Sequence, residues 1–253
     1  MASETLAATH VSKTFSTGQH VLDDISLSVK KGEFVSLIGP SGCGKSTLFT
    51  ILAGVEKQTE GTVAINGKTV KNRTGKFGYM PQSPLLLPWR TVLQNVMLGL
   101  SIRHVDDKPA KEKALRLLQQ FGLSEFANAY PATLSGGMKQ RVALLRTILF
   151  HQELLLLDEP FGALDALTRL SCQQWLLDIK RKLKPTILFI THDVREAIFL
   201  SDAIYVLSPS PASIRAKFLV DLPKERSIKN LTTQKALALE QKILSYLISN
   251  TKL

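Results

Sequence analysis

The chain has 253 residues and a formal charge of +11, from 32 Lys and Arg against 21 Asp and Glu, with 44% hydrophobic residues. That composition excludes a disordered or collagen-like chain, and the length suits one large domain or two small ones. No stretch approaches the 18 apolar residues of a membrane span, the N-terminus lacks a secretory pattern, and Cys43 and Cys172 are too few for a disulfide framework.

The elements read in chain order as an α/β domain. Val21 to Val29 alternates apolar and polar residues, as a half-buried strand does. Phe34 to Ile38 is a short apolar run ending at Gly39. Asn66-Gly67, between alternating residues from Gly61 to Val70, signals a hairpin, because both turn positions need positive φ. From Val92 to Leu149 the pattern is helical. There Asp107 is a candidate N-cap, Ala110, Ala114, Leu117, Leu118 and Phe121 fall at helical spacing, and Gly122 is a stop. A second helix is expected over Gly137 to Phe150. Leu154 to Leu157 and Ile187 to Ile190 have the continuous apolar character of strands covered on both faces. Leu231 to Ile248 reads as a closing amphipathic helix.

The basic excess points to an acidic partner: a nucleotide, nucleic acid or an anionic membrane face. It is spread over three stretches, Lys57 to Lys76, Asp178 to Lys184 and Pro223 to Leu253, without interleaved aromatics. A single-stranded nucleic-acid groove would need a stripe and those aromatics, so no nucleic acid is expected as partner.

Two motifs carry chemistry. Gly39-Pro40-Ser41-Gly42-Cys43-Gly44-Lys45-Ser46-Thr47 fits G-x-x-x-x-G-K-[ST] between a strand and a helix-like run. Glycines let backbone N–H groups face phosphates, and the helix N-terminus adds positive charge. Lys45 brings a cation to the β/γ-phosphates and Ser46 a hydroxyl to Mg²⁺. Cys43, inside the loop, is either a thiol activated by that helix end or, as preferred, a small residue tolerated there. The second motif is Leu154-Leu-Leu-Leu157-Asp158-Glu159-Pro160, which puts two carboxylates at the end of a buried strand. Asp158 is placed to hold Mg²⁺ through water, and Glu159 to poise a water for attack on the γ-phosphate.

With these motifs the sequence resembles the ATP-binding subunits of ABC transporters. Leu134-Ser135-Gly136-Gly137-Met138-Lys139-Gln140-Arg141 is similar to the family's LSGGQ signature, and the resemblance covers Leu6 to Leu222. Gln82 resembles the Q-loop glutamine, a further Mg²⁺ ligand. Gly162-Ala163-Leu164-Asp165 resembles the D-loop, and Thr191-His192-Asp193 the switch histidine. Phe15 stands where the family stacks an aromatic on adenine. The other histidines, His10, His20, His104 and His151, are read as ordinary surface or core residues.

The resemblance implies a RecA-like P-loop core with an antiparallel β subdomain and an inserted α-helical subdomain. Residues 1–222 would form the ATPase domain, with 1–85 and 151–222 as nucleotide-binding core and 86–150 as helical subdomain; 223–253 would be a helical tail. It implies ATP and Mg²⁺ as cofactors and a head-to-tail homodimer in which Ser135, Gly136 and Gly137 of one chain cover the nucleotide held by the other. Two departures stand out: Leu145-Arg146-Thr147 where relatives often read Ala-Arg-Ala, and Tyr79-Met80-Pro81 before Gln82.

The segment Ser83 to Val96, with its Leu87-Pro88-Trp89-Arg90-Thr91-Val92 stretch, together with Gly162 to Arg169, resembles the nitrate/sulfonate/taurine branch of bacterial importers. That branch implies permease subunits contacted near Gln82–Arg90, with Trp89 and Leu86 as contact residues, an extracytoplasmic solute-binding protein, and a peripheral position on the cytoplasmic face of the membrane. Relatives also serve thiamine pyrimidine precursors. The alternative of another class, a non-transport ABC ATPase acting on nucleic acid, usually needs two cassettes or a long insertion between phosphate loop and signature. Only 89 positions separate Lys45 from Leu134.

Overall fold

The computed structural model describes residues 4–105, 107–151, 153–223 and 225–248. The chain opens with β1 (Glu4–Thr14), β2 (His20–Lys30), β3 (Phe34–Ile38), α1 (Lys45–Ala53), β4 (Glu60–Ile65), β5 (Lys68–Thr69) and β6 (Gly78–Met80). Three helices follow: α2 (Val92–Ile102), α3 (Asp107–Gln120) and α4 (Gly136–Phe150). It closes with β7 (Leu154–Asp158), α5 (Ala166–Leu183), β8 (Thr186–Ile190), α6 (Val194–Leu200), β9 (Ala203–Leu207), β10 (Ile214–Leu219) and α7 (Gln234–Ile248).

Two sheets result. The antiparallel one has the order β2-β1-β4-β5. Its last pair turns at Asn66 (φ 50°) and Gly67 (φ 74°), the expected hairpin. The larger sheet has the order β10-β9-β3-β8-β7-β6, and all its pairings are parallel except β10 with β9. Every residue of β3, β7, β8 and β9 is buried. This explains why those strands read as unbroken apolar runs: neither face meets water, so nothing selects for alternation.

One core cluster joins the antiparallel sheet, α1 and one set of central-strand side chains, Val35, Leu37, Leu154, Leu156, Leu188 and Ile190 among them. A second joins the alternate set, Phe34, Leu155, Leu157, Ile187 and Phe189, to α2, α3 and α4. Phe189 stacks at 5.5 Å from Phe34 and 5.8 Å from Phe161, centroid to centroid. Each such side chain contributes about 1.5–3 kcal/mol on burial. Together they make the central strands the rigid frame from which the loops project.

Helix α3 stops just before Gly122 (φ 64°), as expected; it begins at Asp107 itself, and the capping expected of the Asp107 side chain lies outside what is described. The closing helix starts later than the sequence suggests. Leu231 belongs to a 3₁₀ turn, Ile228–Thr232, and the Ala236 N–H donates to the Thr233 hydroxyl at 3.4 Å, which starts α7. Ala236 and Ile243 of α7 are buried with Ile38, Ile198 and Val206, so this helix shares a core with α6 and the central sheet.

Candidate active site

Strands β3, β8, β7 and β6 are consecutive in the sheet and parallel, so their C-terminal ends lie side by side. The loop from Gly39 follows β3, His192 follows β8, Glu159 follows β7 and Gln82 follows β6. Residues more than a hundred positions apart are thereby gathered at one sheet edge, where ligands of parallel α/β folds bind.

The loop needs its glycines. Gly42 and Gly44 have φ of 72° and 108°, which side-chain-bearing residues rarely adopt. A Cβ on Gly44 would also lie 2.8 Å from Val21 Cγ1 and 3.0 Å from Leu22 Cδ2. The Lys45 ammonium donates to the Gly39 and Pro40 carbonyls at 2.8 and 2.7 Å, which holds it inside the loop. Cys43 is turned into the core and only 1% exposed. Burial pushes its thiol pKa up, with Lys45 opposing, so the activated-thiol reading does not hold. Native Cys43 is expected to react with a maleimide at least about 10²-fold more slowly than in the urea-unfolded chain, because reaction requires opening of the fold; mass spectrometry of timed samples checks this.

Asp158 is 2% exposed. Burial raises its carboxyl pKa, and a hydrogen bond from Ser46 opposes that rise. Glu159 adopts positive φ (48°), with its N–H bonded to the Ile190 carbonyl at 3.0 Å. One of its carboxylate oxygens takes two neighbours: Gln82 Nε2 at 3.4 Å and His192 Nδ1 at 3.4 Å. The Gln140 side chain donates to the Glu159 carbonyl at 2.8 Å and accepts the Ala163 N–H at 3.0 Å. Gln140 is 4% exposed and braces the turn that carries Glu159. Sequence reasoning gave it no role, since its partners are main-chain groups.

These elements enclose an open cavity of about 620 Å³. It is lined by Phe15, Gln19, Val21, every residue from Ser41 to Thr47 except Cys43, and by Gln82, Glu159 and His192. Phe15 is half-buried, with Lys13 Nζ 4.8 Å from its ring centroid. Gly39, Pro40 and Asp158 stand behind the lining; a Cβ on Gly39 would meet Leu207 Cβ at 3.0 Å.

Ser135, Gly136, Gly137 and Asp165 do not line this cavity. Ser135 caps α4, its hydroxyl accepting the Met138 N–H at 3.2 Å. A Cβ on Gly137 would stand 3.3 Å from the Ala163 carbonyl, so glycine lets α4 sit against the turn before α5. Asp165 caps α5, accepting the Thr168 N–H at 3.0 Å, and those bonds from Thr168 hold its exposed carboxyl below the usual range.

The segment after Gln82 is ordered by side chains. Arg146 donates to the Pro84 and Leu85 carbonyls, both at 2.7 Å. The fully buried Asn95 accepts the Leu87 N–H at 2.8 Å and donates to the Leu87, Arg90 and Thr91 carbonyls. Thr91 and Gln94 form a capping box on α2. Trp89 is left 71% exposed. The exposed leucine beside it is Leu85, with φ of 44°, and not Leu86, which packs against the helical core.

The sequence profile of the ABC transporter family matches residues 22–162. The chain belongs to the ABC transporter family. It carries that family's ATP-binding cassette, an ATPase. It is 44% identical over 225 residues to an aliphatic sulfonates import ATP-binding protein of Bacillus subtilis, covering 89% of this chain and 86% of that protein. It is 43% identical over 212 residues to a nitrate import ATP-binding protein of a Synechocystis strain, covering 83% and 80%. The solved dimeric structure of a bacterial ABC transporter cassette superposes with a TM-score of 0.79 at 31% identity, over 86% of this chain and all of that one. A dimeric post-hydrolysis cassette with ADP and Pi superposes at 0.78 and 30% identity, with the same coverage.

Proposed function

We propose that this ABC ATPase energises an importer of a small anion of the sulfonate or nitrate kind. The observation that carries the reading is the meeting of Glu159, Gln82 and His192 on one carboxylate oxygen at the mouth of a cavity lined by the Lys45 loop. Lys45, the loop amides and the N-terminus of α1 bind the phosphates, and Phe15 supports the base. Glu159 orients and deprotonates the attacking water. His192 and Gln82 position that carboxylate and report the state of the γ-phosphate.

The oxygen donors fit Mg²⁺: the Ser46 hydroxyl interacts with the buried Asp158 carboxyl and opposes the rise of its pKa, and the Gln82 amide stands beside Glu159. Bound there, the ion neutralises charge on the β/γ-phosphates. Signature residues outside their own chain's cavity support the head-to-tail dimer, in which Ser135, Gly136, Gly137 and Asp165 complete the partner's site. A site finished only on closure couples hydrolysis to a change of shape.

Among the described residues no helix is long and apolar enough to cross a membrane, so the pore comes from permease subunits. The chain sits peripherally on the cytoplasmic face, with an extracytoplasmic solute-binding protein completing the complex. Residues 86–150 form the helical subdomain against a core of 1–85 and 151–222, with 223–253 as a tail.

Trp89 and Leu85 contact the permease in this reading. The double substitution Trp89→Ala and Leu85→Ser is expected to lower co-purification of the membrane subunits at least about tenfold while leaving ATP affinity unchanged, the pattern of an exposed anchor. Proteoliposomes of the full complex test the function: ATP-dependent uptake of an alkanesulfonate or nitrate supports it, and uptake of neither overturns the substrate class.

A further inference from the structure

The sheet edge opposite the nucleotide cavity carries a second concavity, of about 590 Å³. Its walls come from segments that precede three adjacent parallel strands: Lys30–Glu33 before β3, Lys184 before β8 and Asp202 before β9. With about 3.3 Å of rise per residue, the five residues of β3 put roughly 17 Å between this edge and the phosphate loop. The two sites are therefore distinct.

The concavity is strongly basic. Lys30, Lys31, Lys180, Arg181, Lys184 and Arg226 line it, against Glu33, Asp202 and Glu225. The carboxylate of Asp202 is already engaged, by Lys180 Nζ at 2.6 Å, by Arg226 at 3.8 Å and by the Phe34 N–H at 2.9 Å. Arg181 pairs with Asp178 at 3.2 Å. The Glu33 carboxylate accepts the Lys30 N–H at 2.8 Å. The ammonium groups of Lys30, Lys31 and Lys184 stay exposed, and among the described residues no carboxylate lies within ion-pair distance of them.

The backbone holds these lysines together. Gly32 (φ 72°) donates its N–H to the Thr186 hydroxyl at 3.0 Å, and a Cβ there would stand 3.4 Å from the Lys184 carbonyl. The Lys30–Gly32 turn is thus pinned beside Lys184. Lys31 and Lys184 also line a neighbouring hollow that holds Lys76. Basic stretches far apart in sequence converge on one edge, although the ATPase site uses none of them.

Like charges gathered around a concavity repel one another unless an anion joins them, and a cavity of this size suits a small molecule. We propose that this edge binds a phosphate-bearing ligand of at least two negative charges, with Lys30, Lys31 and Lys184 as its contacts. The chemistry is shared by a free polyphosphate or phosphate ester and by a phospholipid headgroup.

The test uses the full chain held at saturating ADP, so that the nucleotide cavity is filled, and inorganic pyrophosphate as probe. Calorimetry is expected to show one pyrophosphate per chain, with affinity falling as salt rises. The triple substitution Lys30→Gln, Lys31→Gln and Lys184→Gln is expected to weaken it at least tenfold while ADP affinity and the thermal unfolding midpoint stay unchanged. Flotation with cardiolipin vesicles, whose headgroup carries two phosphates, separates the sources. Association that pyrophosphate displaces and the triple variant lacks assigns the site to lipid headgroups; pyrophosphate binding without vesicle association assigns it to a free ligand. Absence of both, or equal binding by wild type and triple variant, overturns the proposal.

Discussion

Replacing Glu159 by Gln is expected to leave ATP affinity within about twofold and to slow hydrolysis by about 10²–10⁴-fold, the usual scale for loss of a general base. The rate loss corresponds to about 3–5 kcal/mol of transition-state stabilisation. The substitution keeps volume and hydrogen-bonding shape, so the Gln140 brace on the Glu159 carbonyl and the bond from its N–H to Ile190 survive. What goes is the carboxylate on which Gln82 and His192 converge. Phosphate release measured with saturating ATP, beside equilibrium nucleotide binding, separates the two quantities. A variant that turns over like wild type removes Glu159 from the base assignment.

Lys45→Ala acts on the other parameter. The ammonium is nearly buried and held by the Gly39 and Pro40 carbonyls, so it is pre-positioned at the start of α1 rather than recruited from solvent. A charge-assisted hydrogen bond contributes about 1.5–3 kcal/mol. Two such bonds to phosphate oxygens set an expected loss of ATP affinity of about 10²–10⁴-fold. Equilibrium dialysis with labelled ATP reads it directly, and circular dichroism shows whether the fold is kept. Binding within tenfold of wild type would remove Lys45 from the phosphate contacts.

The parts of the site legible in the sequence were those that the backbone itself requires. The phosphate loop announces itself because Gly42 and Gly44 sit at positive φ values that side-chain-bearing residues rarely adopt. The Asn66-Gly67 hairpin is legible for the same reason. Strands β7 and β8 are legible because burial on both faces leaves an uninterrupted apolar run.

Other elements carry no such signature. Helix α5 buries Cys172, Gln173 and Leu176, and the polar member hides the stripe: Gln173 is satisfied by a 2.7 Å bond to the Glu196 carboxylate. Strand β1 is broken in pattern by register shifts and by positive φ at His10, which pairs with Asp24. Gln140 could not be found because it binds backbone atoms of the turn after β7, and a carbonyl partner leaves no trace in side-chain spacing. Leu85 and Leu86 are indistinguishable in a Leu-Leu-Leu run; only the fold decides which one faces solvent.

The +11 charge is read differently once the chain is folded. In sequence it looks dispersed. In space, sheet topology brings the turn before β3 and the end of α5 together, so part of the excess is local to one edge. Lys45 lies at the opposite edge, in the phosphate loop.

The central claim is a catalytic site finished by a second chain. Sedimentation of the Glu159→Gln protein with Mg²⁺ and either ATP or ADP tests it most directly. The account predicts a mass of two chains with ATP and one with ADP, because only the γ-phosphate reaches the partner's Ser135 and Gly137. The same mass with both nucleotides would contradict it.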